Sequence, residues 1–250
     1  LRSLVGSEMC IRDRSLQEAI NQSQDLVFFG GAGVSTASGI PDFRSASGIF
    51  NQDLGGSLSP EMIISHDFFC QYTEIFFDFY FKNLVYPSAQ PNIVHRYLAK
   101  LEETKNVTVI TQNIDGLHQE AGSKRVIELH GSVQRNYCLS CGHQYSLNDL
   151  SLDENGIPRC PIDGGLVRPD VTLYQESLND MAINQAIEAL RRADFLIVAG
   201  TSLMVYPAAS FIHYYQGDGL AVINKTPLNL LSSRTLIFEE DMVDVFKQLR

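Results

Sequence analysis

The 250-residue chain has no tryptophan, few cysteines and fewer basic than acidic side chains. Its net charge of -10 argues against a nucleic-acid partner, because duplex binding depends on cationic contacts to phosphate. No apolar run approaches the about 20 residues that a membrane helix needs. The sequence therefore predicts a globular protein with neither nucleic acid nor membrane as a partner, and a cationic partner such as a lysine-rich peptide fits its charge better.

The cysteine pattern favours a metal site over disulfide bonds. Five cysteines are an odd number, and Cys138, Cys141 and Cys160 lie close together in the sequence. Pairwise bridging suits such a cluster less than metal binding does. We infer a reducing, cytoplasmic location.

The first 14 residues differ from the rest of the chain. Residues 1–14 have neither the unbroken apolar stretch nor the small-residue cleavage site of a signal peptide. They resemble translated sequencing adapter. We predict that they are a non-native leader and that the folded domain occupies residues 15–250.

Four short apolar runs indicate the fold class, because each ends in small or polar residues: LVFFGGAG (26–33), VTVITQNID (107–115), FLIVAGTS (195–202) and LAVIN (220–224). Such runs suit buried parallel strands. Helix-like stretches lie between them, including 91–104 and 179–193. The alternation predicts an α/β fold with a doubly wound parallel sheet, in which ligands bind beyond the carboxyl ends of the strands.

Two stretches interrupt this alternation. Residues 133–168 are rich in cysteine, glycine and proline, and they predict a small insert module. Residues 41–86 predict a second insert made of helix and loop, in which an irregular loop is followed by the aromatic run FFCQYTEIFFDFYF. We expect both inserts to lie outside the parallel sheet.

A glycine-rich turn follows the first predicted strand. Gly31 and Gly33, with Ala32 between them, would let backbone N–H groups approach a pyrophosphate. Thr36 stands where the usual dinucleotide fingerprint has its third glycine, and Ser35 and Thr36 are candidate caps for a following helix. A tight structural turn would explain the same glycines.

The loop GIPDFRS (39–45) places an acid, an aromatic ring and a guanidinium just beyond that turn, in Asp42, Phe43 and Arg44. Loops in this location usually carry function. The alternative is a surface ion pair between Asp42 and Arg44, with Phe43 simply buried.

Polar side chains follow the second strand in TQNIDGLH (111–118). Gln112, Asn113 and Asp115 stand at its carboxyl end, where amides and a carboxylate can hold ribose hydroxyls and a carboxamide. An Asx-type turn is the alternative.

The last two strong strands end in Gly200, Thr201 and Ser202, and in Asn224 and Lys225. Each group is unremarkable alone. Their shared place at the carboxyl edge of the sheet predicts that they line one crevice.

His130 ends the apolar run VIELH and precedes Gly131, a position that would present an imidazole at a cleft. Neutral imidazole near pH 7 is a competent general base. A lone histidine is more often structural, which is the interpretation we give to His95 and His118.

A structural zinc site is predicted in the insert at residues 133–168. Cys138 and Cys141 form a CxxC knuckle, and Cys160 and Asp163 repeat its spacing with a carboxylate in the fourth position. The alternatives are completion of the site by His143 and an insert without metal. A closed site of this kind would stabilise the insert and carry out no chemistry.

Several motifs, in this order, resemble those of the sirtuin family: GAGVSTASGIPDFRS, TQNIDGLH, ELHG, the cysteine knuckles, GGLVRPDVTLYQE and AGTSL. The resemblance implies a Rossmann-like large domain, a small zinc-binding module, and a cleft between them where NAD and an acyl-lysine peptide meet. It implies an NAD-dependent protein-lysine deacetylase that transfers the acyl group to ADP-ribose and releases nicotinamide.

The resemblance also assigns single residues. His130 matches the base that draws a proton from a ribose hydroxyl, and Asn113 is the second catalytic position. Phe43 would shield the reactive face from water, and Asp115 would accept from the carboxamide. The implied NAD-binding set is Gly31, Ala32, Gly33, Thr36, Asp42, Phe43, Arg44, Gln112, Asn113, Ile114, Asp115, His130, Gly200, Thr201, Ser202, Asn224, Lys225 and Met242.

The stretch formed by Val171, Thr172, Leu173 and Tyr174 matches the family's substrate strand, to which a peptide adds by backbone pairing. We call residues 171–174 the substrate strand. Gln175 replaces the glycine that is usual after it, as Asp163 replaces the usual fourth cysteine.

The resemblance favours acetyl over succinyl groups. Relatives specialised for succinyl and malonyl groups carry Tyr and Arg three residues apart, whereas here Tyr80 is followed by Asn83. No guanidinium is then available for a distal carboxylate. Lys82 would weaken this prediction if it turned inward.

Two other functions share these residues. One is an NAD-dependent protein ADP-ribosyltransferase, and the other is a nonenzymatic NAD-binding or zinc-ribbon interaction module. The combination of His130, Asn113 and Asp115 speaks against the module, because binding alone requires no base. Neither the protein substrates nor the oligomeric state follows from the sequence.

Overall fold

The computed structural model describes residues 15–43, 48–49, 58–203, 208–228 and 234–250. The strands are β1 Asp25–Gly30, β2 Asn106–Thr111, β3 Val126–Glu128, β4 Gly131–Cys138, β5 Gln144–Ser146, β6 Ser151–Leu152, β7 Pro158–Arg159, β8 Val167–Val171, β9 Phe195–Ala199, β10 Gly219–Ile223 and β11 Arg234–Phe238. The helices are α1 (residues 15–22), α2 Pro60–Ile63, α3 His66–Gln71, α4 Thr73–Asn83, α5 Ile93–Leu101, α6 Leu117–Glu120, α7 Asp180–Arg192 and α8 Met242–Phe246. None of these helices is long and apolar enough to cross a membrane.

Six strands form a parallel sheet in the order β3-β2-β1-β9-β10-β11. Numbered along the chain within this sheet alone, the order is 3-2-1-4-5-6, which is that of the doubly wound dinucleotide-binding fold. The predicted fold class is therefore confirmed. The winding reverses between β1 and β9, so a ligand crevice is expected beyond the carboxyl ends of these two strands.

The sheet is buried on both faces, which explains the continuous apolar runs. In β1, Leu26 and Phe28 pack on one side in a core that includes residues of α1, α5 and α8. Val27 and Phe29 face the other side, where they share a core with residues of α7. Alternate residues of one strand thus supply two cores.

The two predicted helices form within the expected ranges. The side chain of Asn179 accepts hydrogen bonds from the first N–H groups of α7, and Arg191 and Arg192 lie at the opposite end, where cations favour the helix dipole. Asn92 begins α5 in a capping box with His95.

Residues of the two predicted inserts share a third core. The strands β5, β4 and β8 form an antiparallel sheet, and β6 pairs with β7 beside it. The aromatic residues Phe76, Phe77 and Tyr80 of α4 pack in one cluster with Val133 and Val171 of this sheet. The substrate strand therefore begins on a structure built by both inserts.

Candidate functional site

A cavity of about 660 Å³ lies where the strand order reverses. A smaller cavity of about 30 Å³ shares Ala32, Phe43 and Asn113 with it. Every predicted NAD-binding residue that the structure describes lines one of the two, with Ile114 and Asp115 at the smaller cavity only. Arg44 lies outside the described residues.

The loops after β1 and β9 meet through their backbones. Gly33 N–H donates to Gly200 O at 2.8 Å, and Gly31 N–H donates to Ala199 O at 3.2 Å. A Cβ on Gly31 would lie 2.8 Å from Gly200 O, and Gly200 itself has a φ of +59°. The close approach of the loops therefore requires these glycines, so the structural turn and the phosphate turn are not exclusive interpretations.

The prediction that Ser35 and Thr36 cap a helix is wrong. Two short 3-10 helices, Ala32–Val34 and Thr36–Ser38, follow the turn, and neither has a side-chain cap. Thr36 Oγ1 donates to Gly33 O instead, at 3.0 Å. The hydroxyl of Ser35 donates instead to the carboxylate of Asp115, in the loop after β2.

Ser35, Asn113 and Asp115 form a hydrogen-bonded chain. Ser35 Oγ donates to Asp115 Oδ2 at 2.6 Å and accepts from Asn113 Nδ2 at 3.1 Å. Burial raises the pKa of Asp115, while hydrogen bonds from Ser35 and from Leu117 N–H oppose the rise. Sequence reasoning missed this role of Ser35, since no local pattern signals a contact between residues so far apart.

His130 is oriented by a backbone carbonyl. Its Nδ1 lies 2.8 Å from Gln112 O, and because a carbonyl oxygen only accepts, Nδ1 carries the proton. The Nε2 of the neutral ring is then the acceptor. The Gln112 side chain also spans the cavity wall, where Nε2 donates to Thr201 Oγ1 at 3.1 Å.

Gly131 brings His130 against the substrate strand. It has a φ of +76°, and a Cβ there would lie only 1.9 Å from Asp170 O. Thr172 N–H donates to His130 O at 3.0 Å, which fixes the strand beside the imidazole. The predicted base and the predicted substrate strand are thus adjacent.

The large cavity is also lined by an ion pair that the sequence reasoning did not predict. Lys225 Nζ lies 2.9 Å from Asp241 Oδ2, and Asp241 also caps α8 by accepting from Val243 N–H at 2.8 Å. An aspartate immediately before Met242, at the start of an apolar periodic segment, is a helix-start signal that would have identified it. Asn224 Nδ2 donates to Thr226 O at 2.8 Å.

Asn92 is a second residue whose role the sequence reasoning did not predict. Its Nδ2 donates to Val34 O at 2.8 Å and to Ser38 Oγ at 2.9 Å. The residue that caps α5 thus also holds the loop after β1 in place, through hydrogen bonds to Val34 and Ser38.

The zinc site has suitable geometry. The ligand atoms of Cys138, Cys141, Cys160 and Asp163 all lie within 4.8 Å of one another. Zn–S bonds of about 2.3 Å in a tetrahedron place two sulfurs about 3.8 Å apart. The Sγ atoms of Cys141 and Cys160 are 3.7 Å apart, and Cys138 Sγ is 3.4 Å from Asp163 Oδ1.

The surroundings of the ligands also suit a metal. Backbone N–H groups donate to Cys138 Sγ and to Asp163 Oδ1, and the hydroxyl of Tyr145 lies 3.0 Å from Cys160 Sγ. A Cβ on Gly165 would lie 2.8 Å from Cys138 Sγ, so the turn closes tightly around the ligands. The residues present therefore fit a structural zinc ion.

Comparisons with known proteins identify the family of the chain. The sequence model of the Sir2 family matches residues 31–207. The NAD-dependent protein deacetylase of Clostridium perfringens (strain 13 / Type A) is 52% identical over 229 residues, which cover 91% of this chain and 93% of that protein. The protein of the same name from Clostridium tetani (strain Massachusetts / E88) is 53% identical over 214 residues, 85% of this chain and 87% of that protein.

Solved Sir2 structures share the fold. A Sir2 complex with a p53 peptide and NAD+ matches with a TM-score of 0.80 and 37% identity, covering 94% of this chain and 95% of that chain. A Sir2 variant with deacetylated p53 peptide and 3'-O-acetyl ADP-ribose matches with a TM-score of 0.83 and 36% identity, covering 94% of this chain and 96% of that chain. The chain belongs to the Sir2 family.

Proposed function

We propose that this Sir2-family enzyme is an NAD-dependent protein-lysine deacetylase in which His130 is the general base. One observation carries the proposal. The imidazole of His130 is fixed by Gln112 O in the wall of the large cavity, and the backbone of His130 is bonded to the substrate strand. A base in this position would contact NAD in the large cavity and lie next to a peptide bound at the substrate strand.

The large cavity suits NAD. Its volume lies within the about 300 to 1,000 Å³ of ligand pockets. Backbone at Gly31 and Gly33 would approach the pyrophosphate, while Thr201, Ser202 and Asn224 would hold the adenosine half. Bound NAD supplies the ribose carbon that receives the acyl oxygen, with nicotinamide as the leaving group.

His130 acts through Nε2. With Nδ1 held by Gln112 O, the lone pair of Nε2 takes the proton of a ribose hydroxyl. Burial lowers the pKa of His130, which favours the neutral ring that this step requires. Phe43 lines both cavities and would exclude water from the reacting face.

The nicotinamide ring would lie in the large cavity beside the smaller one, which has room for only about two water molecules. Asp115 and Asn113 present a carboxylate and an amide there, held in place through Ser35. Each carboxylate oxygen has two acceptor sites, so Asp115 keeps capacity for the carboxamide N–H groups.

Acetyl-lysine is the expected substrate in preference to succinyl-lysine. Asn83 lines the smaller cavity and carries no charge. The ammonium of Lys82 lies 2.6 Å from Asp78, and 68% of the Lys82 side chain is exposed, so this cation faces away from the core. Nothing at these two positions would compensate a buried distal carboxylate.

We also infer a cytoplasmic location and protein or peptide partners, without nucleic acid or membrane. The net charge of -10 favours lysine-rich segments over phosphate backbones. The convergence of cysteine thiols on a metal site suits a reducing compartment. Recovery of the native protein in a membrane fraction, or with bound nucleic acid, would contradict these inferences.

The deciding experiment measures nicotinamide release from NAD and peptide deacetylation together. We expect nicotinamide release to depend on an acetyl-lysine peptide, and peptide deacetylation over many turnovers to fall about 10²- to 10⁴-fold in His130→Ala. The exposed His213 provides a matched control, and His213→Ala should keep full activity. The same peptide with succinyl-lysine should react at least about tenfold more slowly.

Other outcomes distinguish the rival functions. Stable transfer of labelled ADP-ribose to protein without loss of the acetyl group would indicate an ADP-ribosyltransferase. No peptide-dependent release from folded, zinc-loaded protein would indicate a binding module.

A further inference from the structure

The substrate strand leads directly into Gln175, which has an unusual backbone conformation. Its φ is +75°, in the left-handed region that disfavours residues with a Cβ. Among the non-glycine residues that the structure describes, only Leu203 also has a positive φ. A side chain at a position suited to glycine must be held by its surroundings.

Asp67 holds that side chain through two reciprocal hydrogen bonds. Gln175 Oε1 accepts from Asp67 N–H at 3.0 Å, and Gln175 Nε2 donates to Asp67 Oδ2 at 3.0 Å. A glycine at position 175 offers neither bond. We call these two hydrogen bonds between Gln175 and Asp67 the lock. They depend on the glutamine side chain.

The lock lies at the N-terminus of α3, where N–H groups have no partner within the helix. Tyr174 O accepts from His66 N–H at 3.0 Å, and Gln175 Oε1 accepts from the next N–H, that of Asp67. The end of the substrate strand thus caps α3. In the other direction, Tyr174 N–H donates to Ile64 O at 3.0 Å.

Glu176 fixes the same turn from its other side. Its carboxylate accepts from Leu173 N–H at 2.9 Å and lies 2.7 Å from Arg168 Nη1 and 2.9 Å from His66 Nδ1. Burial opposes its ionisation, but the hydrogen bonds with Arg168, Leu173 and His66 lower the pKa of Glu176 to about 2. Residues 173–176 are therefore bonded on both sides, and the Gln175 bonds hold the one residue of this segment with a positive φ.

We propose that Gln175 is a positioning residue for the acylated peptide, because its side chain locks the substrate strand to α3 before the peptide binds. The proposal rests on the deacetylase function proposed above. A binding segment that is already ordered loses less conformational entropy when a peptide binds to it, so the peptide binds more tightly. Neither Gln175 nor Asp67 lines either cavity, so the lock acts on peptide affinity and leaves NAD binding unchanged.

The test compares three variants in steady-state kinetics with an acetyl-lysine peptide. Gln175→Gly accepts the positive φ but lacks both hydrogen bonds, and Gln175→Asn tolerates the same φ with a side chain too short to reach. Both should raise the KM for the peptide about 5- to 30-fold, the effect of one or two hydrogen bonds. The kcat and the KM for NAD should stay within about twofold of the wild-type values.

Asp67→Asn is the conservative control, since it keeps the backbone donor and an oxygen acceptor for Gln175. Its KM for the peptide should match that of the wild type. An unchanged peptide KM in Gln175→Gly, an equal rise in the KM for NAD, or a fall in kcat alone would overturn the proposal.

Hydrogen exchange in the free enzyme separates this proposal from the proposed function. The amides of Asp67 and Leu173 should exchange at least about tenfold faster in Gln175→Gly than in the wild type, and Asp67→Asn should match the wild type. If the wild type does not turn over the acetyl peptide, the deacetylase proposal fails. Hydrogen exchange then tests the lock without any activity measurement. Equal protection of the Asp67 and Leu173 amides in the wild type and in Gln175→Gly overturns it.

Discussion

Among single residues, His130 has the environment with the clearest consequence for activity. Only the neutral ring accepts a proton at Nε2, and burial lowers the pKa of His130. The neutral form therefore persists to lower pH than in a free histidine, whose pKa is about 6.5. We expect kcat/KM for the acetyl peptide to fall on the acid side with an apparent pKa below about 6.5. Rates across the pH range measure this, and an acid limb centred above about pH 7 would show that a different group controls it.

Gly131 supports a second prediction for a single residue. Its substitution by alanine adds a Cβ 1.9 Å from Asp170 O at a φ of +76°, so β8 must move away from β4. We expect Gly131→Ala to lower the free energy of unfolding by at least about 2 kcal/mol and to raise the peptide KM. Chemical denaturation and peptide kinetics measure the two effects.

Gly156 provides the matched control for this substitution. Its φ is +75°, but nothing lies within 4 Å of the position that a Cβ would occupy, so Gly156→Ala tests backbone strain without collision. It should cost about 1 kcal/mol and leave the peptide KM unchanged. Equal effects of the two substitutions would mean that the contact with Asp170 does not matter.

Site residues at strand ends are predictable from the sequence for a physical reason. The carboxyl ends of parallel strands meet at one edge, so Gln112, Asn113 and Thr201 could be placed together before any contact was known. The bonds of Ser35 to Asp115 and of Gln175 to Asp67 could not, because they join residues 80 and 108 positions apart. Such pairs depend on the tertiary arrangement alone.

Among the elements, those with a clear hydrophobic pattern were predicted. The strands β1, β2, β9 and β10 are apolar runs with polar ends, and α5 and α7 have one buried face. Helix α4 has no single buried face. Its residues Phe76, Phe77, Phe79 and Tyr80 are all buried, in the core that residues of both inserts share. The sequence therefore predicted an insert of helix and loop at 41–86 but not the bounds of α4, because an aromatic run without a period does not show where a buried helix begins and ends.

The zinc module supports a prediction for one element. Thiolate is a softer zinc ligand than carboxylate, so Asp163→Cys should raise zinc affinity at least about tenfold, and Asp163→Ala should lower it by at least as much. Competition with a chromophoric chelator measures both affinities. Asp149→Ala, which removes an exposed carboxylate in the same module, should leave the affinity unchanged. Wild-type affinity in Asp163→Ala would show that Asp163 is not a ligand.

For the whole molecule, a buried histidine pair links stability to pH. His95 and His118 are almost fully buried, with ring centroids 4.6 Å apart. Asn92 N–H donates to His95 Nδ1 at 3.2 Å, while neither nitrogen of His118 has a hydrogen-bond partner among the described residues. Burial lowers the pKa of His95 to about 4, and burial together with the neighbouring His95 lowers the pKa of His118 well below its ordinary value.

These shifts determine where stability is lost. Above about pH 7.5, about one unit over the ordinary histidine pKa, both histidines are neutral in the folded and unfolded chains, so they have no effect on the pH dependence. Below that pH the unfolded chain binds protons that the folded chain excludes, and stability falls until the folded His95 titrates near pH 4. The shift of His95 alone corresponds to about 3 kcal/mol, or a fall of about 6 to 12 °C in Tm.

His118→Phe tests this account, because it removes one proton-binding group and keeps an aromatic ring next to Phe28 and His95. Its Tm should fall less steeply than that of the wild type between about pH 6.5 and about pH 4. Carboxylates such as Glu176, with a pKa lowered to about 2, lose their contribution at lower pH in both proteins, so the difference between the two curves isolates the contribution of His118. His213→Gln, at an exposed position, should follow the wild-type curve. Parallel curves for His118→Phe and the wild type would show that His118 does not contribute to the acid lability of the fold.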